Sequence, residues 1–324
     1  MSRRPSPVPA ALIGGAAIAL FGGALAGFTA LTARRVARTL PPEGAFLEVD
    51  GARLHYLDQG SGPAIVMIHG LAGQAKHFTH SLVDRLAADH RVIVVERPGS
   101  GWSDAAPGAS HAIRAQAAVI AAFIRKLELQ RPLVVGHSLG GAVSLALALD
   151  HPDVVGGLAL IAPLTQVVAE ASPVFAPLMI PSAAVRRLVA WTLAAPVSIA
   201  RSSKALETVF GPEAAPADFA DRGGGMLGLR PRAFMAASAD LMAAAEDLPG
   251  MVERYPSITA PVGVLYGRGD RLLDAALHGE GLVRQLPSVD LEVVEGAGHM
   301  LPITRPELCD AFIRRMAGKV ERSA

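Results

Sequence analysis

The chain has 324 residues, 51% of them hydrophobic, with a formal net charge of +1. That length suits one large α/β domain with room for an insertion, or two smaller domains. The near-neutral charge and the lack of any long Lys/Arg block speak against a nucleic-acid partner. A single cysteine, Cys309, excludes an internal disulfide.

The first stretch is the most apolar. Residues 5–33 carry no charge, and 10–33 are almost wholly apolar, long enough to span a bilayer as one helix. Arg3 and Arg4 precede this run; Arg34, Arg35 and Arg38 follow it. The leading expectation is a membrane anchor over residues 1–38, a transmembrane helix whose orientation the flanking charges leave open. A cleaved signal peptide, with Ala24-Leu25-Ala26 as its A-x-A site, would instead release a secreted or periplasmic protein. A buried soluble helix is the third reading.

Pro41-Pro42 marks a linker. Strand-like runs at 45–49 and 53–57 flank Asp50-Gly51, a strong hairpin-turn signal. A buried strand at 64–68 ends in His69-Gly70-Leu71-Ala72-Gly73. His77 and His80 follow, on a helix running to about residue 88, and read as surface or pocket-edge groups rather than metal ligands. A strand at 91–95 leads into the tight loop Glu96-Arg97-Pro98-Gly99-Ser100-Gly101-Trp102-Ser103, and residues 111–127 form an amphipathic helix.

Residues 132–150 organise the rest. Leu133, Val134 and Val135 suit a strand buried on both faces, and Ala- and Leu-rich helix formers begin at Leu139. Between them Gly136-His137-Ser138-Leu139-Gly140 matches G-x-S-x-G. A serine in a sharp strand-to-helix turn is held strained, with its hydroxyl exposed. Gly136 and Gly140 remove Cβ atoms that would clash there. The N–H of Leu139, at a helix N-terminus, is placed to bind a developing oxyanion. The N–H of Leu71 is the candidate second donor.

After a strand at 154–161 the strand–helix alternation stops. Residues 164–256 are helical and broken by prolines, too long for a plain loop, and read as an inserted lid. They carry much apolar surface, including Met179, Trp191, Leu193, Phe210 and Phe219, most of it expected in the lid's own core. Alternation resumes with a strand at 262–266 and Gly267-Arg268-Gly269-Asp270. A helix over 274–286, a strand at 291–294, Glu295-Gly296-Ala297-Gly298-His299 and a helix to about 320 complete the chain. Cys309, on that last helix, reads as a buried structural thiol.

Ser138, Asp270 and His299 each fall just past the C-terminal end of a separate expected strand, the edge where open parallel sheets build sites. The order Ser, Asp, His is that of α/β-hydrolases. Asp274 is the nearest rival for the acid, but it falls where a helix begins. Of ten histidines, only His299 follows the last strand in a Gly-rich loop.

On these segments the chain resembles the α/β-hydrolase fold superfamily, in the lidded branch of esterases, perhydrolases and carbon–carbon bond hydrolases. The matching pieces are His69-Gly70, 97–103, 136–141, 267–270 and Gly298-His299, which span residues 45 to 320. One departure is Glu96, where the family often has Asp; the position is structural in the resemblance. Ser138 at the elbow argues against dehalogenases and epoxide hydrolases, which place Asp there.

The resemblance implies a mostly parallel sheet of about eight strands with flanking helices. It divides the chain into an N-terminal segment (1–38), a hydrolase core (39–163 and 257–324) and a helical lid (164–256). It implies Ser138 as nucleophile, His299 as base and Asp270 as its partner. Leu71 and Leu139 supply the oxyanion hole, with His69, Gly70, Gly136, His137 and Gly140 in support. No metal or cofactor is required. The expected activity is hydrolysis of a small-molecule ester with an apolar part through an acyl-enzyme. Carbon–carbon hydrolysis or perhydrolysis on the same triad, and a non-catalytic binding protein of the same fold, remain alternatives.

Overall fold

The computed structural model describes residues 10–168 and 172–322. Eight strands form one sheet: β1 (Ala45–Val49), β2 (Ala52–Gln59), β3 (Ala64–Ile68), β4 (Arg91–Val95), β5 (Leu133–His137), β6 (Gly157–Ile161), β7 (Val262–Gly267) and β8 (Asp290–Val294). Their spatial order is β1-β2-β4-β3-β5-β6-β7-β8. β1 pairs antiparallel with β2, and β2 with β4; every pairing from β4 to β8 is parallel. The β1–β2 turn has positive φ at both Asp50 (47°) and Gly51 (80°). That is the type I′ geometry that matches strand twist.

The helices are α1 (Ala10–Thr39), α2 (Lys76–Thr79), α3 (Val83–Leu86), α4 (Ile113–Lys126), α5 (Leu139–Asp150), α6 (Ala183–Trp191), α7 (Ala194–Phe210), α8 (Pro231–Arg254), α9 (Gly281–Gln285), α10 (Leu301–Thr304) and α11 (Pro306–Glu321). The period of two along β3 and β4 sends alternate side chains into two cores. Val66, Ile68, Ile93 and Val95 pack in one core with α4, α5 and α8. Ile65, Met67, Val92 and Val94 pack in the other with Phe78, Leu82 and the α11 residues Phe312, Ile313 and Met316. Cys309 is fully buried in that second core, and burial pushes its thiol pKa up.

Several boundaries differ from the sequence reading. The single helix expected after His77 is two short ones, α2 and α3. The strand expected from 154 starts at Gly157, because Pro152–Val154 close a 3-10 turn. The helix expected over 274–286 opens with a wider π-turn at Ala276–Glu280.

The segment between β6 and β7 holds α6, α7, α8 and 3-10 turns at Pro173–Leu178 and Gly225–Leu229. Of its apolar residues Phe210, Phe219 and Phe234 are buried, while Met179, Trp191 and Leu193 are 55%, 41% and 47% exposed.

Residues 10–39 form one 30-residue helix, and Arg3 and Arg4 lie outside the described residues. The last part of α1 packs on the domain: Val36 and Leu40 are buried with Leu227. Thr29 is fully buried and donates to the Thr192 carbonyl at 3.4 Å. Among the described residues no single helix is long and apolar enough to cross a membrane, so the spanning anchor has no support here. One face of α1 packs on the domain, and three arginines occupy its last turns. The bent pair α6–α7 passes the same length and composition test, across a 76° break.

Candidate active site

Ser138 sits between β5 and α5 with φ 55° and ψ −122°. Such a backbone is costly for a non-glycine residue and persists only where the surroundings impose it. Here the surroundings are two glycines. A Cβ at Gly136 would collide with Ser144 and the Gly140 carbonyl, and one at Gly140 with the Ile68 carbonyl. The Ser138 carbonyl accepts from Gly141 at 2.9 Å and from Leu164 at 3.0 Å, which fixes the turn from both sides. Ser138 keeps partial solvent exposure, while Leu139 behind it is buried at the start of α5.

Gly70 crosses close to this turn. A Cβ there would lie 2.8 Å from the Ser138 Cβ and 3.3 Å from its Oγ. His69 holds the crossing loop. Its Nε2 accepts from the Arg97 N–H at 3.0 Å, so its Nδ1 carries the proton and donates to the Gly70 carbonyl at 2.9 Å. Burial and the neighbouring Arg97 guanidinium both push the His69 pKa well down, which keeps the ring in this neutral form. Leu71 follows on the same turn.

His299 and Asp270 meet at the sheet edge. The His299 Nδ1 is 2.6 Å from Asp270 Oδ2, and both side chains are almost fully buried. The other oxygen, Oδ1, accepts from the backbone of Leu272 at 2.8 Å and Leu273 at 3.0 Å. The carboxylate is thus held at both ends, and the free ring nitrogen of His299 is Nε2. Asp274, the rival acid, caps its own helix through the Leu277 N–H at 2.7 Å. His137 lies against His299, ring centroids 4.9 Å apart. Its Nε2 donates to the His299 carbonyl at 3.0 Å. Burial pushes its pKa well down, so it supports the loop as a neutral donor. Among the described residues no group of three or more His, Cys, Asp or Glu is arranged to hold a metal ion.

A family model described as the alpha/beta hydrolase fold matches residues 63–306. The chain belongs to the alpha/beta hydrolase fold family. It is 32% identical over 256 residues to a 2-hydroxy-6-oxononadienedioate/2-hydroxy-6-oxononatrienedioate hydrolase of Burkholderia vietnamiensis. That match covers 76% of this chain and 84% of the relative. Several other curated matches are shorter. One is 36% identical over 121 residues to the dihydrolipoyllysine-residue acetyltransferase component of the acetoin cleaving system of Cupriavidus necator, and the chain spans only 32% of that protein's length. Among solved structures, a membrane phospholipase A described as a bacterial virulence factor superposes with a TM-score of 0.67 at 25% identity, covering 96% of each chain.

Within this alpha/beta hydrolase, several residues that the sequence reading passed over hold the site in place. Arg97 is fully buried and donates to the carbonyls of His69 at 3.0 Å and Gly70 at 2.9 Å. It also donates to Gln116 at 2.6 Å and to Asp240 of α8 at 2.7 Å. Glu96, expected to be structural, accepts from the Ala75 and Trp102 backbone and contacts His55 Nδ1 at 2.9 Å. Glu213, between α7 and α8, accepts from the Gly298 N–H at 3.1 Å, one residue before His299.

His77 and His80, expected at the surface or a pocket edge, are both half-buried. His80 faces Asp218, between α7 and α8, at 3.0 Å. His77 has its Nδ1 buried without a partner, and burial with His299 nearby lowers its pKa to about 4. Its ring lies 5.8 Å from that of Phe219. Phe219 in turn packs with Phe210, Met300 and Ile303, an apolar cluster next to His299. An open groove of about 220 Å³ lies elsewhere, lined by residues such as Glu43, Lys76 and Asp84.

Proposed function

We propose that this alpha/beta hydrolase is a serine esterase acting on carboxylic esters with an apolar acyl or alcohol part. The observation that carries the reading is the buried Asp270–His299 pair at 2.6 Å, on the same sheet edge as the strained Ser138 turn. In this reading Ser138 Oγ attacks the ester carbonyl while His299 Nε2 takes its proton. Asp270 fixes the tautomer and stabilises the imidazolium. The N–H groups of Leu71 and Leu139 receive the oxyanion. The proton passes to the departing alkoxide, leaving the acyl group on Ser138. Water, deprotonated by His299, then releases the acid and restores the serine. Residues 39–163 and 257–324 form the catalytic core, residues 164–256 are a lid over it, and residues 1–38 take no part in the chemistry.

The apolar preference rests on the Phe210–Phe219–Met300–Ile303 cluster beside His299. An acyl chain packed against such a surface gains about 0.8 kcal/mol per buried CH₂. Two added carbons therefore favour reaction by about an order of magnitude until the space is full. Assays on p-nitrophenyl esters of rising chain length, with Ser138→Ala and fluorophosphonate labelling as controls, test the proposal. The expected result is kcat/KM that rises from acetyl to a medium chain and then falls, labelling at Ser138, and no labelling of the variant. A Ser138→Ala protein that keeps more than about a tenth of kcat removes the assignment.

A second reading, carbon–carbon bond hydrolysis on the same residues, draws on the relative from Burkholderia vietnamiensis. Faster turnover of a dienoic diketone acid than of any simple ester would favour it.

A further inference from the structure

The outward face of α1 is apolar and then basic. Leu20, Phe21, Phe28 and Leu31 are 76%, 66%, 45% and 64% exposed. At 3.6 residues per turn these four fall within a sector of about 100°, one stripe along the helix. The buried residues Thr29 and Val36 fall outside that sector, about 60–80° beyond its edge, on the side packed on the domain. Arg34, Arg35 and Arg38 continue the outward face toward the helix end, and all three are exposed.

The lid helices repeat the pattern next to it. α1 packs against α6 and α7, and the Thr29–Thr192 hydrogen bond puts it at the bend between them. On α6, Val185, Leu188 and Trp191 recur every three residues and are 48%, 65% and 41% exposed. Leu193 and Ile199 extend the apolar surface beyond the bend, and Arg187, Arg201 and Lys204 are exposed around it. Residues 10–42 and 172–206 together hold seven Arg or Lys and no Asp or Glu, in a chain whose net charge is +1. Positive charge is therefore concentrated at this one apolar face.

We propose that the outward faces of α1 and of the α6–α7 bend form one platform that docks in the plane of an anionic lipid bilayer. Apolar side chains enter the acyl boundary, and the arginines and lysine meet the headgroups. This is contact along the membrane surface, with neither helix crossing it. The platform also connects to the site. α7 leaves the bend and, about 25 Å further on, delivers Phe210 to the cluster beside His299. The inference does not depend on which ester is cleaved.

The test is flotation of the full chain with phosphatidylcholine vesicles, without and with phosphatidylglycerol, at two salt concentrations. The wild type is expected to bind the anionic vesicles, and more weakly at high salt. Each basic residue near an anionic surface changes partition by about fivefold. Arg187→Gln with Arg201→Gln should therefore weaken binding by about twenty-five-fold. Leu188→Ser with Trp191→Ser should weaken it as well. Both double variants should hydrolyse a soluble short-chain ester at the wild-type rate, which separates failed docking from failed catalysis. Three results overturn the proposal: a wild type that stays with the unbound fraction, lid variants that bind as the wild type does, or a dimer that the Leu188/Trp191 variant dissociates. The last would show that a second copy covers the face.

Discussion

Asp240→Asn probes whether α8 holds the His69–Gly70 loop through charge. Arg97 and Asp240 have side chains fully excluded from solvent and meet at 2.7 Å. Arg97 spends its remaining donors on the carbonyls of His69 and Gly70 and on Gln116. Asparagine keeps the size and one acceptor oxygen but leaves the guanidinium charge buried and unneutralised. Breaking a buried pair from one side costs about 3–5 kcal/mol. The retained oxygen puts this variant at the lower end, about 3 kcal/mol, or about two decades in the unfolding constant. Urea unfolding followed by the fluorescence of Trp102 and Trp191 measures it, with an unchanged m-value expected because the surface exposed is the same. A loss below about 1 kcal/mol would refute the reasoning. Gln116 and His111, the other groups on Asp240, would then suffice to hold the network together.

Two shorter predictions test other parts of the site. Gly70→Ala places a methyl group 2.8 Å from the Ser138 Cβ. It should lower kcat by about a hundredfold, the scale of a 1 Å misplacement, with the fold retained by circular dichroism; an unaffected kcat would mean that the crossing loop moves freely. His278 is buried and its Nδ1 accepts from Thr165 at 3.2 Å and Gln166 at 3.1 Å, while burial lowers its pKa to about 4. The unfolded chain therefore binds more protons than the native one between pH 6.5 and 4. Stability should rise with pH across that window and be lost on acidification, by up to about 1.4 kcal/mol per pH unit for this group. His278→Asn, which keeps an acceptor, should flatten that slope; an identical slope in unfolding titrations would refute the assignment.

The strand–turn–helix around Ser138 was legible because every level of the sequence agrees there. A continuous apolar run, two glycines and a helix former have one compatible geometry, and the described backbone adopts it. The Asp50-Gly51 hairpin was legible for the same local reason. The β3 and β4 strands were legible as apolar runs, although the alternation that sends Ile65 and Val66 into different cores is invisible in such a run. What could not be read was long-range pairing. Arg97 lies 143 positions from Asp240, and nothing near either residue announces the other. His77 reads as a surface or pocket-edge group from its own polar segment, and the ring that packs on it, Phe219, comes from far along the chain. The N-terminal helix carries the same lesson: the packing of Thr29 and Val36 on the domain cannot be read from its apolar run.

The segment between β6 and β7 carries one carboxylate for each of the two loops near Ser138, and Glu213 is the one that reaches the histidine loop. Its Oε2 accepts from the Gly298 N–H at 3.1 Å and from Thr304 Oγ1 at 2.8 Å, and Oε1 accepts from Arg305 at 2.7 Å. Gly298 and Thr304 bracket His299 and the start of α10, so this single carboxylate sets the path of the histidine loop. A lid that served only as a cover would tolerate Glu213→Ala with a change in KM alone. A lid that positions the base predicts otherwise. Alanine leaves the Gly298 N–H unpaired and lets the loop shift, which should lower kcat by about ten- to a hundredfold with KM little changed. Glu213→Gln keeps an acceptor for Gly298 and should recover most of the loss, whereas lost charge alone would leave it as impaired as alanine. Equal kcat in wild type and alanine variant would show that His299 is held by Asp270 and His137 without help from the lid.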